Sequence, residues 1–146
     1  MAEVKIIKKR DGFYVTDCTG KTEVYDYVGN AGSGYRPVRK GNLCGYIDTS
    51  TGLICCDLCL LWADQFINGF AAVKIKEAGD NKDIFIIINT TFMQAIPEEF
   101  SDACAVKGEI RTVRNKRIEG KVGSYIAKEY GRIVEGKYSS YSVRKI

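Results

Sequence analysis

Histidine is absent from this 146-residue sequence, and proline occurs only twice. Without histidine, the chain lacks the commonest general base, the commonest metal ligand and the usual base partner of a serine or cysteine nucleophile. We therefore expect no catalytic residues. We expect a protein that is not an enzyme and that needs no cofactor.

Long apolar runs are also absent. No stretch approaches the roughly 18 apolar residues of a membrane-spanning helix, and residues 1–8 contain no apolar segment of signal-peptide length. We expect a cytoplasmic protein that makes no membrane contact. In a reducing compartment the six cysteines are expected to remain free thiols.

Two of the cysteines, Cys56 and Cys59, form a C-x-x-C motif. A zinc site built from thiolates normally takes four sulfur ligands from two such pairs, and this sequence has one pair. The neighbouring Leu58, Leu60 and Leu61 favour a second interpretation, in which the thiols are small apolar core residues. We predict no metal site, and the sequence leaves open whether the pair binds metal or is redox active.

Charge is unevenly distributed along the chain. The sequence contains 22 Lys and Arg against 18 Asp and Glu, for a net charge of +4. Residues 107–146 contain 11 of these cations and 4 of the anions, whereas residues 1–106 contain 11 and 14. A C-terminal quarter of net charge +7 therefore follows a body of net charge −3.

A hairpin pattern recurs along the chain. Residues 45–54 form a short apolar stretch, a polar turn that ends at Gly52 and a second apolar stretch. Similar segments lie at 12–21, 85–93 and 123–133, where Gly20, Phe92 and Gly131 take the turn position of Gly52. A second pattern recurs at 34–39, 69–74 and 108–114. We predict one repeat-built domain over residues 1–146, with units at about 11–40, 41–79, 82–118 and 120–146.

Three segments carry a resemblance to a known family: residues 44–48 (Cys-Gly-Tyr-Ile-Asp), 66–73 (Phe-Ile-Asn-Gly-Phe-Ala-Ala-Val) and 96–103 (Ile-Pro-Glu-Glu-Phe-Ser-Asp-Ala). The sequence resembles the WG repeat family, whose unit contains a Trp-Gly-aromatic-Ile-Asp segment, an Ile-Pro-Pro segment and a closing Gly-x-Ala-x-Val segment. Cys44 replaces the family's tryptophan, and the single tryptophan, Trp62, lies elsewhere in the unit. The resemblance implies an all-β array and a role in protein–protein contact, with no catalytic residues.

The predicted fold is all-β, an array of about four short antiparallel hairpin or three-stranded repeats packed as one domain. One such unit buries too little apolar surface to be stable alone, so the units must stack. Leu58, Leu61 and Trp62 have helical spacing, which predicts one short helix near 57–65. The last unit lacks a closing strand, and we expect its open side to pair with residues 1–9 or with another chain, which would make a homo-oligomer.

The basic C-terminal quarter supplies the candidate binding residues. Guanidinium groups bind phosphate bidentately, and tyrosine rings stack on bases. The same residues would also suit an acidic protein surface, and a solvated face of mixed charge is the third interpretation, because glutamates are interspersed among them. The candidates are Arg111, Arg114, Lys116, Arg117, Lys121, Tyr125 and Arg132.

We therefore predict a non-enzymatic binding protein, built of WG-like β repeats, that mediates protein–protein interaction. The alternative is an inhibitor or sequestering protein, for example a viral protein that blocks a host defence. Such a protein would bind a nucleotide or another phosphorylated ligand through the basic C-terminal quarter. The expected partner is a protein, and a nucleotide or a nucleic acid is the alternative.

Overall fold

The structure is a computed structural model that describes residues 3–77, 79 and 81–145. Antiparallel strands make up the regular structure of these residues, and no helix occurs among them. The all-β prediction is therefore confirmed. No helix of the described part is long and apolar enough to cross a membrane.

The strands form four small antiparallel sheets that follow one another along the chain. The first sheet contains β1 (Lys5–Lys9), β2 (Gly12–Thr16) and β3 (Thr22–Tyr25). The second contains β4 (Tyr27–Val28), β5 (Tyr35–Lys40), β6 (Leu43–Asp48) and β7 (Ile54–Leu60). The third contains β8 (Trp62–Ala63), β9 (Phe70–Lys76) and β10 (Asp83–Asn89). The fourth contains β11 (Asp102–Val106), β12 (Glu109–Gly120), β13 (Gly123–Val134) and β14 (Lys137–Lys145).

An apolar core lies between each pair of successive sheets. The first core joins sheets one and two through Val15, Tyr25, Val28, Val38 and Ile47. The second joins sheets two and three through Cys44, Tyr46, Ala63, Phe66, Ala71, Val73 and Ile88. The third joins sheets three and four through Ala72, Ile87, Phe100, Ala103, Ile110 and Ile133. Because side chains alternate along a strand, sheets two and three contribute to a core on each side.

Three turns of the fold have a common geometry. Asp17, Asp48 and Asn89 each lie at the end of a strand, and one side-chain oxygen accepts hydrogen bonds from the backbone N–H and the hydroxyl of the residue two positions on. This is the local hydrogen bonding that favours Asp and Asn in turns. These bonds stabilise the charged carboxylate and lower the pKa of both Asp17 and Asp48, chiefly through the hydroxyl group.

Four two-residue turns also share a geometry, with positive φ at both positions. They consist of Ser33 and Gly34, Asn68 and Gly69, Lys107 and Gly108, and Glu135 and Gly136. Such turns match the twist of antiparallel strands, and they lead into β5, β9, β12 and β14. The segments predicted at 34–39, 69–74 and 108–114 are therefore strands. The repeat itself, with its unit boundaries and single-domain organisation, stays a prediction.

The predicted hairpin at 123–133 is wrong, because β13 runs without a break from Gly123 to Val134. Gly131 was expected to close a turn, but it lies in the middle of the strand. A Cβ atom there would lie 2.6 Å from the Thr112 hydroxyl oxygen and 2.7 Å from the Tyr138 hydroxyl oxygen. Glycine is therefore required by close packing at this position.

The predicted short helix near 57–65 is also wrong. Residues 54–60 form β7 and residues 62–63 form β8, and the backbone N–H of Leu61 donates to the carbonyl oxygen of Lys74 at 2.9 Å. β7 contains extra residues relative to β6, because Cys44 pairs with Leu60 while Tyr46 pairs with Cys56. Pairing with neighbouring strands takes up the backbone hydrogen bonds, and it overrides the local helical spacing of the side chains.

One of the two expected pairings of the last unit is wrong as well. Within the described part of residues 1–9, Lys5–Lys9 do not extend the fourth sheet, since these residues form β1 and pair with β2. A two-residue connection makes this local hairpin easier to close than a contact with the far end of the chain. β14 is the outer strand of the fourth sheet, so pairing with another chain stays a prediction.

Candidate functional site

The predicted binding residues all lie on β12, on β13 or in the turn between them. Pairing of β11 ends at Val113 and pairing of β14 ends at Ala127, which lies opposite Lys116, so residues 117–126 form a two-stranded hairpin that we call the arm. All but one of the ten arm residues are exposed, and Val122 at the turn is fully exposed. The arm therefore extends beyond the packed body of the fourth sheet.

The strand register divides the seven predicted residues between two faces. Ile110 and Thr112 are buried, so Arg114, Lys116 and Tyr125 continue the core-side face. The opposite side of the sheet, which we call the outer face, carries the remaining strand residues, and Lys121 lies in the turn. The structure therefore does not bring the seven together in one site. The predicted residues on the outer face are Arg111, Arg117 and Arg132.

Two of the predicted cations share one carboxylate partner within the chain. Glu129 is 7% exposed, and its carboxylate pairs with the Arg114 guanidinium and lies 3.5 Å from the Lys116 ammonium nitrogen. A buried carboxylate needs such partners, because burial of an unpaired charge is costly. Arg114 and Lys116 therefore hold the base of the arm in place and are less available to a partner.

On β12 and β13 the outer face carries four cations (Arg111, Arg117, Lys128 and Arg132) and two acidic residues (Glu109 and Glu119). Arg111 lies directly opposite Arg132, an arrangement of like charges that is unfavourable unless other groups compensate it. Glu109 lies 3.3 Å from Arg111, and the Arg132 guanidinium lies 5.7 Å from the centre of the Tyr141 ring. Lys128 joins the same face as the cross-strand neighbour of the exposed Asn115.

The arm also exposes apolar surface. Tyr125 is 39% exposed, and its ring lies over Gly120, where a Cβ atom would be 3.0 Å from the ring. Val122 and Ile126 are exposed as well. The hairpin therefore presents both cationic and apolar side chains to solvent.

The cysteines provide no metal centre among the described residues. All six are free thiols, and no group of three or more Cys, Asp or Glu side chains has the proximity needed to hold a metal ion in that part of the chain. Cys56 and Cys59 both lie on β7. Burial, together with the neighbouring Cys59, raises the pKa of Cys56 to about 11. The Cys56 thiol is therefore protonated at neutral pH, which makes it a poor nucleophile.

Sequence reasoning missed a line of aromatic rings that crosses the first three sheets. Phe13 and Tyr27 have ring centres 6.1 Å apart, and Tyr27 and Trp62 have ring centres 6.5 Å apart with planes inclined by 22°. We call these three rings the aromatic stripe. A comparison of equivalent positions in successive units could have found the stripe. Tyr27 lies two residues after the buried Tyr25, and Trp62 lies two residues after Leu60.

Comparison of the chain with protein-family models, with curated proteins and with solved structures finds no match. The resemblance to WG repeats therefore stays a prediction from the segments quoted above.

Proposed function

We propose that this chain is a non-enzymatic binding protein that contacts another protein through the arm and the outer face of the fourth sheet. The observation that carries the proposal is the combination of exposed Val122, Tyr125 and Ile126 with Arg117 on a hairpin that extends from the body. Aromatic residues and arginine are enriched in protein interfaces, and they supply much of the binding energy there.

The charge of the outer face indicates the chemistry of the partner. Arg111, Arg117, Lys128 and Arg132 lie on this face, and among the described residues the one ion pair that these four cations form is between Arg111 and Glu109. A partner with an acidic surface would complement these charges and would be attracted over long range.

A binding role fits the state of the nearby carboxylates. Glu129 is held by Arg114 and Lys116, and Glu109 is held by Arg111. These carboxylates already form ion pairs within the chain, so they are less available to contact a substrate. We further propose a cytoplasmic location, where the cysteines would stay reduced.

A specific observation favours a second candidate function, in which the chain sequesters a nucleotide or another phosphorylated ligand. The Arg111 and Arg132 side chains leave neighbouring strands side by side. A phosphate group between two guanidinium groups would accept bidentate hydrogen bonds and relieve their mutual repulsion. An inhibitor of viral origin would act in this way.

Affinity capture from the source cell tests the leading proposal. The bait proteins are the wild type, the charge-reversal variant R117E/K128E and the matched control K21E/K82E, which changes the same number of charges on exposed lysines of the body. We expect at least one protein that binds the wild type and the control, is lost from R117E/K128E and resists nuclease treatment. Identical capture by all three baits would contradict the proposal.

Calorimetric titration with nucleotides tests the second candidate. Binding that is present in the wild type and lost in R111A/R132A would favour sequestration. If the wild type shows no heat of nucleotide binding, or if R111A/R132A shows the same heat, the two arginines do not bind a phosphate group.

A further inference from the structure

We propose that the aromatic stripe is a binding platform for single-stranded nucleic acid, with one ring and one cation supplied by each of the first three sheets. This site is distinct from the arm and the outer face of the fourth sheet. It does not depend on the function proposed above, and it involves none of the residues used there.

The rings of the stripe are accessible for stacking. Tyr27 is 41% exposed and Trp62 is 38% exposed, while Phe13 is half-buried against the core between the first two sheets. A core role alone would bury the two larger rings. Their spacing of 6.1 Å and 6.5 Å between ring centres places the three rings in one row.

A cation lies directly across the strand pair from each ring. Lys8 is the cross-strand neighbour of Phe13, Arg39 that of Tyr27, and Lys74 that of Trp62. Directly opposite residues of an antiparallel pair share one face, with Cβ atoms about 5 Å apart. The same ring-and-cation pair therefore recurs in three successive sheets.

The positive charge of the stripe is concentrated at its first ring. A groove of about 430 Å³ is lined there by Lys8, Lys9, Arg10 and Arg39 together with two aspartates. The four cations outnumber the two carboxylates, and each carboxylate accepts a hydrogen bond from within the chain. Asp11 accepts a hydrogen bond from the Tyr14 hydroxyl at 2.6 Å, and Asp26 accepts one from the backbone N–H of Gly41 at 2.6 Å.

Single-stranded nucleic acid is the ligand class that uses both features. Its bases stack on aromatic rings whatever the sequence, while its phosphates follow neighbouring cations. An acidic peptide would match the cations but would have no planar groups for the rings. A proline-rich peptide would match the rings but would leave the cations without a partner.

The fluorescence of Trp62 reports directly on the site, because Trp62 is the only tryptophan in the chain. We would titrate the protein with oligo-thymidylate of about 12 nucleotides, within the usual site size. We expect saturable quenching of Trp62. With three contacting cations, the logarithm of the binding constant should fall against the logarithm of salt concentration with a slope of about −2.

Variants are compared by the fluorescence anisotropy of a labelled oligonucleotide. We expect W62A to bind about 10-fold more weakly or worse, while W62F retains most of the affinity. K74Q should also weaken binding and reduce the salt slope to about −1.4. The matched controls are Y141A, which removes a ring that is 60% exposed on the fourth sheet, and K82Q, and both should bind as the wild type does.

Three outcomes would overturn this proposal. The first is the absence of saturable quenching of Trp62. The second is binding that W62A and W62F retain equally but that R117E/K128E loses, which would assign the nucleic acid to the arm. The third is equal or stronger quenching by poly-glutamate, which would assign the stripe to an acidic protein. If W62A fails to fold, K74Q and its salt slope still decide between these outcomes.

Discussion

The ion pairs at the base of the arm allow a quantitative prediction. Glu129→Gln keeps the shape of the side chain and removes the charge that pairs with Arg114 and Lys116. Loss of one partner of a fully buried ion pair costs about 3–5 kcal/mol. The side chain of Arg114 is 32% exposed and that of Lys116 is 51% exposed. Water can therefore solvate the released cations in part, and we expect a loss of about 1–2 kcal/mol in the free energy of unfolding.

Urea denaturation followed by circular dichroism measures this loss, which should also lower the melting temperature by about 3–7 °C. The matched control is Glu23→Gln. This substitution breaks the ion pair between Glu23 and Lys40, whose side chains are 44% and 47% exposed, respectively. It should lower the free energy of unfolding by about 0.5 kcal/mol or less. A double-mutant cycle with Arg114→Met should show coupling of about 1 kcal/mol or more with Glu129→Gln. A loss equal to that of the control, or additive effects in the cycle, would refute the buried ion pair as the anchor of the arm.

Two further predictions concern the turns and the second sheet. Gly45→Ala would place a Cβ atom onto the carbonyl oxygen of Cys56 and 2.9 Å from that of Asp57, so we expect a loss of about 3 kcal/mol or more, or failure to fold, by thermal denaturation. A variant as stable as the wild type would contradict the described packing of β7 on β6. Asp48→Ala should lower the free energy of unfolding by about 1 kcal/mol at neutral pH, and Asp48→Asn should lose less, because Asn89 forms the same turn. Since the folded-state pKa of Asp48 is lowered, its contribution is fully present above the unfolded pKa of about 4 and is lost as the pH falls through the folded value. Equal acid sensitivity of wild type and Asp48→Ala in denaturation measured from pH 7 to pH 2 would contradict this role.

The all-β fold could be predicted from the sequence because glycine and aspartate mark its turns. Gly34, Gly69 and Gly108 each occupy the second position of a turn that needs positive φ at that position, and each precedes a strand. The error at Gly131 has a different cause. Glycine can be required by a close neighbour as well as by a turn. Only the tertiary structure shows that the Thr112 side chain packs against Gly131 from the neighbouring strand.

The sequence places the seven candidate residues in the basic C-terminal quarter, but it does not show that they divide between two faces of one sheet. That division depends on the strand register, and the register depends on where β13 begins and ends. Once β13 is known to be continuous, alternation assigns Arg114 to the core side and Arg111 to the outer face. The ion pairs with Glu129 follow from that register, because Arg114 and Glu129 are direct cross-strand neighbours.

The proposed interface depends most directly on a partner contact at the tip of the arm. A photo-crosslinking amino acid at position 122, where the side chain is fully exposed, tests this contact in the source cell. The matched control carries the same group at position 43, an apolar residue that is 41% exposed on the second sheet. We predict a crosslinked protein that forms from position 122, is absent from position 43 and is lost when R117E/K128E is introduced. The same products from both positions, or none from position 122, would contradict the assignment of the arm as the binding surface.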